Sequence, residues 1–397
     1  MSDLAERSPL NVYREFADEW ERGPRLAWDT IAMRPTDGIP SRGLNCMEVP
    51  FLERLAGVEP GGYARDPVGV YLAFQRAAGA CMIDQFIPRN PLTMGPQGYE
   101  SDADRTATTG ADDIVVDGMT IDSPEAVVEH MERVAFPRME DEAAEFDPED
   151  SEHVKSLIEA ECATQRTFGT GILKGPYAGG FQSFPQFRYN AYGYVHYFSA
   201  YALYPEVMER DFSLQADVAA LRNRAAARAI VEGGLPKLIR LDHDMADSRG
   251  TLVNIRSLED IWFPHFARSI EPFLEADIRL LWHCDGNLME MVPRLIEAGV
   301  AGFQGFQYEA GMDYPRICRL TDRDGGPLTI LAGVSVTRTL PAGTPQDVAR
   351  EMKWLVENGP RRGLFLGASS SITPGTPHEN IQALIDGLAH YRERGRA

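Results

Sequence analysis

Three consecutive residues that can ligate, titrate or attack, His283, Cys284 and Asp285, stand at the end of the apolar run Leu280–Trp282. Gly286 follows them and lets the chain turn sharply. Leu288, Met291, Val292, Leu295 and Ile296 then recur at helical spacing, with Gly299 as the stop. A second apolar stretch, Gly302–Gln307, leads to a carboxylate at Glu309. Strand, helix and strand, each strand ending in polar chemistry, is the pattern of parallel α/β proteins. Ligands collect at the carboxyl ends of such strands, because the loops there vary while the scaffold stays rigid. By alternation, Cys284 points away from its neighbours and reads as a small buried hydrophobe.

The same edge gathers other candidates. Leu238–Leu241 ends in Asp242-His243-Asp244, and period-two spacing puts the two carboxylates on one face. Two close carboxylates can share a proton, one serving as the acid; alternatively one of them caps the following turn. His243 between them faces the helix layer. Tyr177, in Lys174-Gly-Pro-Tyr177, is placed to donate a hydrogen bond to a substrate oxygen or simply to pack. Asp84 closes the short apolar run 80–83. The aromatic residues Phe181, Phe184, Phe187, Tyr189, Tyr192, Tyr194, Tyr197 and Phe198 read either as the lining for an aromatic ring or as core packing.

Strand candidates near residues 39, 80, 168, 238, 279, 302, 329 and 363 alternate for the most part with helices. That count predicts an α/β fold of the (β/α)8 TIM-barrel type with an elaborated N-terminal region. A doubly wound sheet is not expected, and since no Gly-rich fingerprint follows a strand, neither is a nucleotide cofactor. The expected boundaries include a strand at Phe168–Leu173, two helices across 192–232, and one helix at Leu258–Leu274 interrupted by Pro264 and Pro272. Thr344-Pro345-Gln346-Asp347 and Thr376-Pro377-His378-Glu379 both read as helix starts, the second as a full capping box. Between Glu140 and Glu152 there are eight acidic residues and no basic one, which reads as a solvated insertion or lid. The chain is thus expected to be one domain, 1–397, with 97–160 as the insertion.

The totals exclude several classes. With 39 basic against 59 acidic side chains the net charge is −20, which disfavours nucleic acid and anionic membranes as partners. Hydrophobic content of 44% and charged content of 25% are globular values. Five cysteines without a CxxC pair signal neither a disulfide framework nor a thiolate zinc knuckle. No signal-peptide pattern opens the chain and no apolar run reaches membrane-spanning length, so a cytoplasmic protein is expected.

On these residues the sequence resembles the uroporphyrinogen decarboxylase superfamily, which joins decarboxylases to zinc- and corrinoid-linked methyltransferases. The matching parts are Lys174-Gly-Pro-Tyr177, Asp242-His-Asp244, Trp282-His-Cys-Asp-Gly-Asn287, Glu309 with Gly311-Met-Asp313, and the ending Ser369–Asn380. They span roughly residues 165–395, with a looser likeness before them. Two departures matter. The Gln-Ala-Gly-Arg-Tyr-like loop with which the decarboxylases clamp a polycarboxylate is missing. Ser370 stands where the decarboxylases carry a His and the methyltransferases a Cys ligand, and the latter's His-x-Cys pair reads His283-Cys284-Asp285.

The resemblance implies a methyltransferase of the corrinoid-linked demethylase type. It would move a methyl group from a small donor, such as a methoxylated aromatic, to a cobalamin carried by a separate partner protein. His283, Asp285 and Glu309 make a one-His, two-carboxylate set suited to zinc or another divalent metal, with positions left for a substrate oxygen. A metal-free, hydrogen-bonded role for His283 fits the same residues. Asp242, Asp244, Tyr177 and Asp84 are the expected catalytic groups, the last because the decarboxylases place a carboxylate there. Asn287, Ser370 and Lys174 are expected to contact the substrate, and relatives imply a homodimer. Two alternatives stay open: a decarboxylase or lyase for a small carboxylic acid, in which Asp84, Tyr177 and Asp242 polarise the substrate, and a non-catalytic small-molecule-binding barrel.

Overall fold

A computed structural model describes residues 12–396 apart from 17, 96–97, 100–113 and 178–179. Its central strands are β1 (Met82–Ile83), β2 (Leu173–Lys174), β3 (Leu238–Asp242), β4 (Arg279–His283), β5 (Gly302–Gln304), β6 (Thr329–Val334) and β7 (Leu364–Ala368). The helices that matter here are α1 (Pro67–Ala77), α2 (Ser151–Phe168), α3 (Pro205–Gly233), α4 (Phe263–Glu275), α5 (Val292–Ala298), α6 (Pro345–Asn358) and α7 (His378–Arg394).

One parallel sheet runs in the order β7-β6-β5-β4-β3, and β1 and β2 form a separate parallel pair. The segment predicted as a strand near residue 39 is reduced to single bridges. Through them Ser41 meets Leu366 of β7 and Arg42 meets Met82 of β1, joining the pair to the sheet. Among the described residues no ladder links β2 to β3. Every residue of β6 and β7 is buried, as expected for parallel strands covered on both faces. The strand expected at Phe168–Leu173 starts later, because α2 runs to Phe168 and Gly169 ends it, leaving only Leu173 and Lys174 to pair with β1.

Other boundaries shift for local reasons. The region 192–232 holds Tyr194–Leu203 and the longer α3, after a short turn of helix at Tyr189–Tyr192. The helix expected over 258–274 divides into Ile255–Ile261 and α4, where Pro264 sits in the first turn. Thr344 and Asp347 close a reciprocal capping box on α6. The box expected at Thr376 does not form: its hydroxyl donates to Thr373 O, and α7 begins at His378 without a side-chain cap. The acidic run lies on helix Phe136–Glu145 and the start of α2. Glu140, Glu142 and Glu149 there pair with Arg210, Arg222 and Arg228 of α3. Among the described residues no helix is long and apolar enough to cross a membrane.

Candidate active site

The register of the sheet sets Asp242 directly opposite His283, so β3 and β4 deliver their last side chains to the same edge. Asp84 arrives there from the end of β1, and Tyr177 from the turn after β2. Arg240, one pleat before Asp242 on β3, ties these groups together with a side chain only 2% exposed. Its Nε donates to Asp84 Oδ2 at 2.6 Å and its Nη1 to Asp242 Oδ2 at 2.7 Å. Nη2 donates to Gln85 Oε1 at 3.1 Å, and the guanidinium carbon lies 4.6 Å from the centre of the Tyr177 ring. The Tyr177 hydroxyl donates to Asp242 Oδ2 at 2.9 Å. Burial would raise the Asp84 carboxyl, but the charges of Arg240 and Arg42 outweigh it and hold the group well below the usual carboxylate range. Asp242 is lowered too: burial opposes ionisation, and His283, Arg240 and the Tyr177 hydrogen bond more than offset it.

Beside this closed network lies an incomplete one. Donor atoms of Asp244, His283 and Asp285 all lie within 4.8 Å of one another. The backbone N–H of Asp285 donates to Asp244 Oδ1 at 2.9 Å, and Ser370 Oγ donates to Asp285 Oδ2 at 3.4 Å. Two atoms of these residues, His283 Nδ1 and Asp285 Oδ1, are buried with no hydrogen-bond partner among the described residues. Buried polar atoms left unpaired are costly, and two of them on residues of one three-donor cluster fit a divalent cation better than a packed core. Burial, and then the charge of Asp285, push the Asp244 carboxyl up, with the Asp285 N–H and His283 opposing. Gly286 sits at φ +87 with the Asp247 backbone 2.6 Å from where a Cβ would stand, so the turn after Asp285 requires glycine.

A cavity of about 280 Å³ opens onto both networks, lined in part by Arg42, Asn45, Gln85, Asp242, His283 and Ser370. Among the described residues the Arg42 guanidinium has no hydrogen bond or ion pair, and it meets the Asp84 charge only through space. A larger cavity, about 1010 Å³, lies at the opposite ends of the strands against Lys237 and Arg279, and none of the residues singled out in the sequence lines it.

Several expected residues go elsewhere. Glu309 is carried by the turn after β5 to the end of β6, where it accepts hydrogen bonds from Ser335 Oγ at 2.9 Å and from the Thr337 hydroxyl. Asp244 takes the place beside His283 and Asp285 instead. Lys174 is buried behind the mouth, donating to Glu161 at 3.0 Å and to Gly175 O. Asn287 accepts from Met289 N at 3.2 Å and so stabilises its own turn. Cys284 is fully buried, accepting from Met245 N at 3.4 Å, and burial raises its thiol far above the ordinary range. His243 faces the aromatic layer: Phe187 N donates to its Nε2 at 2.9 Å, and Tyr189 stacks on the ring at 5.5 Å. The aromatic cluster is therefore packing around His243; none of its rings lines the 280 Å³ cavity.

Arg240, Arg42 and Gln85 are the site residues that reading the sequence missed. A signal for the first was present: an arginine inside the apolar run Leu238–Leu241 has to find buried partners. Arg42 carried none, because its strand is too short to show a period.

No family model matches the chain, and no curated protein matches it. Among solved structures, it is similar to a methyltransferase from Methanosarcina mazei, with a TM-score of 0.54 and 16% identity over 93% of this chain and 98% of that one. A B12-independent methionine synthase from Shewanella sp. W3-18-1 is similar over 60% of this chain and 66% of that one, with a TM-score of 0.38 and 15% identity. The first likeness establishes a shared fold.

Proposed function

We propose that this chain is an enzyme that moves a methyl group from a small donor, on a (β/α)8-type fold whose β1–β2 pair joins the main sheet through the bridges at Ser41 and Arg42. One juxtaposition carries the reading. His283 and Asp285, which each keep a buried atom without a hydrogen-bond partner among the described residues, belong with Asp244 to a three-donor cluster beside a 280 Å³ cavity, in a fold shared with a methyltransferase. Asp244, His283 and Asp285 would hold zinc or another divalent ion. Such an ion, when bound, supplies a Lewis acid for the oxygen that loses the methyl group. Arg42 holds an anionic group on the donor, and Ser370 keeps Asp285 turned toward the cluster. In the transfer the bond from methyl carbon to donor oxygen breaks with its electron pair staying on oxygen, and the acceptor supplies the pair for the new bond. The acceptor is a reduced corrinoid on a separate protein docked over the strand ends.

The test combines the purified protein, a reduced corrinoid protein and a panel of small methoxylated donors with and without a carboxylate. Methyl–cobalt absorbance should rise with a carboxylate-bearing donor and vanish in His283→Ala. If no donor yields it and the protein retains no divalent metal, the reading fails. A second reading, decarboxylation of a small acid, draws on the free guanidinium of Arg42 beside the Asp84–Arg240 pair. It requires carbon dioxide release with no partner protein present.

A further inference from the structure

Asp242 has two oxygens with different commitments. Oδ2 accepts from Arg240 Nη1 at 2.7 Å and from the Tyr177 hydroxyl at 2.9 Å. Oδ1 stands 3.8 Å from His283 Nε2, just beyond hydrogen-bond length. A carboxylate pinned at one oxygen by two donors loses most of its freedom to rotate, so the other oxygen keeps a fixed bearing. Here that bearing is the imidazole. The opposite ring nitrogen, Nδ1, is the buried one without a hydrogen-bond partner among the described residues.

Arg240 is itself held from several sides. Asp84 takes its Nε, Gln85 its Nη2, and Gln304 Oε1 lies 3.5 Å from Nη1, while Gln304 donates back to Ser369 O at 3.2 Å. Asp84 belongs to the β1 end and Asp242 to β3, so the guanidinium spans the interval where β2 and β3 have no ladder. A planar fork of fixed geometry can bridge two carboxylates in this way; an ammonium, a point charge on a flexible stem, cannot hold both in one orientation.

We propose that Arg240 is a positioning residue for His283, fixing Asp242 so that the imidazole carries its proton on Nε2 and leaves the lone pair on Nδ1, the ring nitrogen that has no hydrogen-bond partner among the described residues. A carboxylate behind an imidazole sets its tautomer in this manner, and losing it costs about 10- to 100-fold in metal affinity. The inference deepens the metal reading above and rests on it for its second test only.

The first test needs no metal. Long-range ¹H–¹⁵N spectra of the metal-free protein report the tautomer of His283. The wild type is expected to show a single Nε2–H form. Asp84→Asn/Arg240→Met removes the clamp without leaving Asp84 charged and unpaired, and should give a mixture. Asp84→Asn alone keeps the Arg240–Asp242 contact and should keep the wild-type tautomer. An Nδ1–H form in the wild type, or an unchanged Nε2–H form in the double variant, overturns the proposal. If the double variant does not fold, Arg240→Lys is read by the same criterion.

The second test measures Zn²⁺ affinity by chelator competition. The double variant should bind about 10- to 100-fold more weakly and Asp84→Asn within a few-fold of the wild type. Equal affinity in a folded double variant counts against Arg240. A wild type that binds no Zn²⁺ sinks the metal reading, while the spectra still decide the role of Arg240.

Discussion

Gly305 offers a way to move the His283 ring without touching its chemistry. The residue follows β5 at φ +86, and a methyl group added to it would lie 2.7 Å from His283 Nδ1 and 2.8 Å from Cε1. Ordinary contact begins at 3.4 Å, so in Gly305→Ala the ring has to retreat by about 0.7 Å, the gap between the two distances. Left-handed backbone costs a non-glycine residue about 1–2 kcal/mol, which is the expected loss of stability. A metal constellation tolerates displacements of only about 0.5 Å, so the functional loss should exceed the stability loss, at least about tenfold in Zn²⁺ affinity. Gly118→Ala is the control. Gly118 has φ +81 and nothing within 4 Å of its added methyl, so it bears the backbone cost alone. Urea midpoints should shift alike in the two variants, and chelator competition should separate them. Wild-type Zn²⁺ affinity in a folded Gly305→Ala would show that the imidazole is not a ligand and refute the reasoning.

Three other outcomes follow from the same geometry. Lys174→Met leaves Glu161 charged and buried, costing about 3–5 kcal/mol, whereas Lys174→Met/Glu161→Leu should return to within about 1 kcal/mol of the wild type. Calorimetry checks both; equal stability of the single and double variants would show that the pair is not coupled. Arg42→Ala should weaken binding of small carboxylates by about ten- to a hundredfold in titration calorimetry, since it deletes a charged donor that has no hydrogen bond or ion pair among the described residues. Acid should weaken the fold through His243. Burial pushes its imidazole down to about 4, with Asp242 opposing, while in the unfolded chain it takes a proton below about 6.5. A depressed folded value supports folding above the unfolded one and loses that support as pH falls through the folded one. Stability should therefore drop by roughly 3 kcal/mol between pH 7 and 4 from this residue. His243→Gln, which still offers Phe187 N an acceptor, should flatten that slope in pH-dependent urea unfolding.

Where a strand was long and apolar, the sequence placed it well. Leu238–Asp242, Arg279–His283 and Leu364–Ala368 fall within a residue or so of their expected positions, and their last side chains meet at one edge. Legibility failed where pairing is too brief to leave a period. The segment at Ser41 and Arg42 makes single bridges, and β2 has two residues, so their register is set by neighbours rather than by their own pattern. That brevity hid Arg42. Glu309 misled for another reason: its place after a strand was right, but a turn of seven residues from Gly305 to Gly311 decides where the carboxylate goes, and loop direction is not written in side-chain type. Asp244 was legible as a carboxylate on the proper face, yet its company with His283 and Asp285 depends on the β3–β4 register.

The mouth thus contains two polar systems that differ in completeness. Asp84, Arg240, Asp242 and Tyr177 satisfy one another, and such networks rigidify a scaffold. In the second, His283 Nδ1, Asp285 Oδ1 and the Arg42 guanidinium have no hydrogen-bond partner among the described residues, and keeping buried polar groups unpaired sacrifices stability. A fold built for stability alone has no reason to leave them unpaired beside a cavity, and a bound ligand that completes them would supply that reason. The first system also explains why the second can be held open. Without Arg240, Asp242 would be free to rotate and lose the bearing of its Oδ1 on His283 Nε2, and with it the tautomer that leaves Nδ1 open.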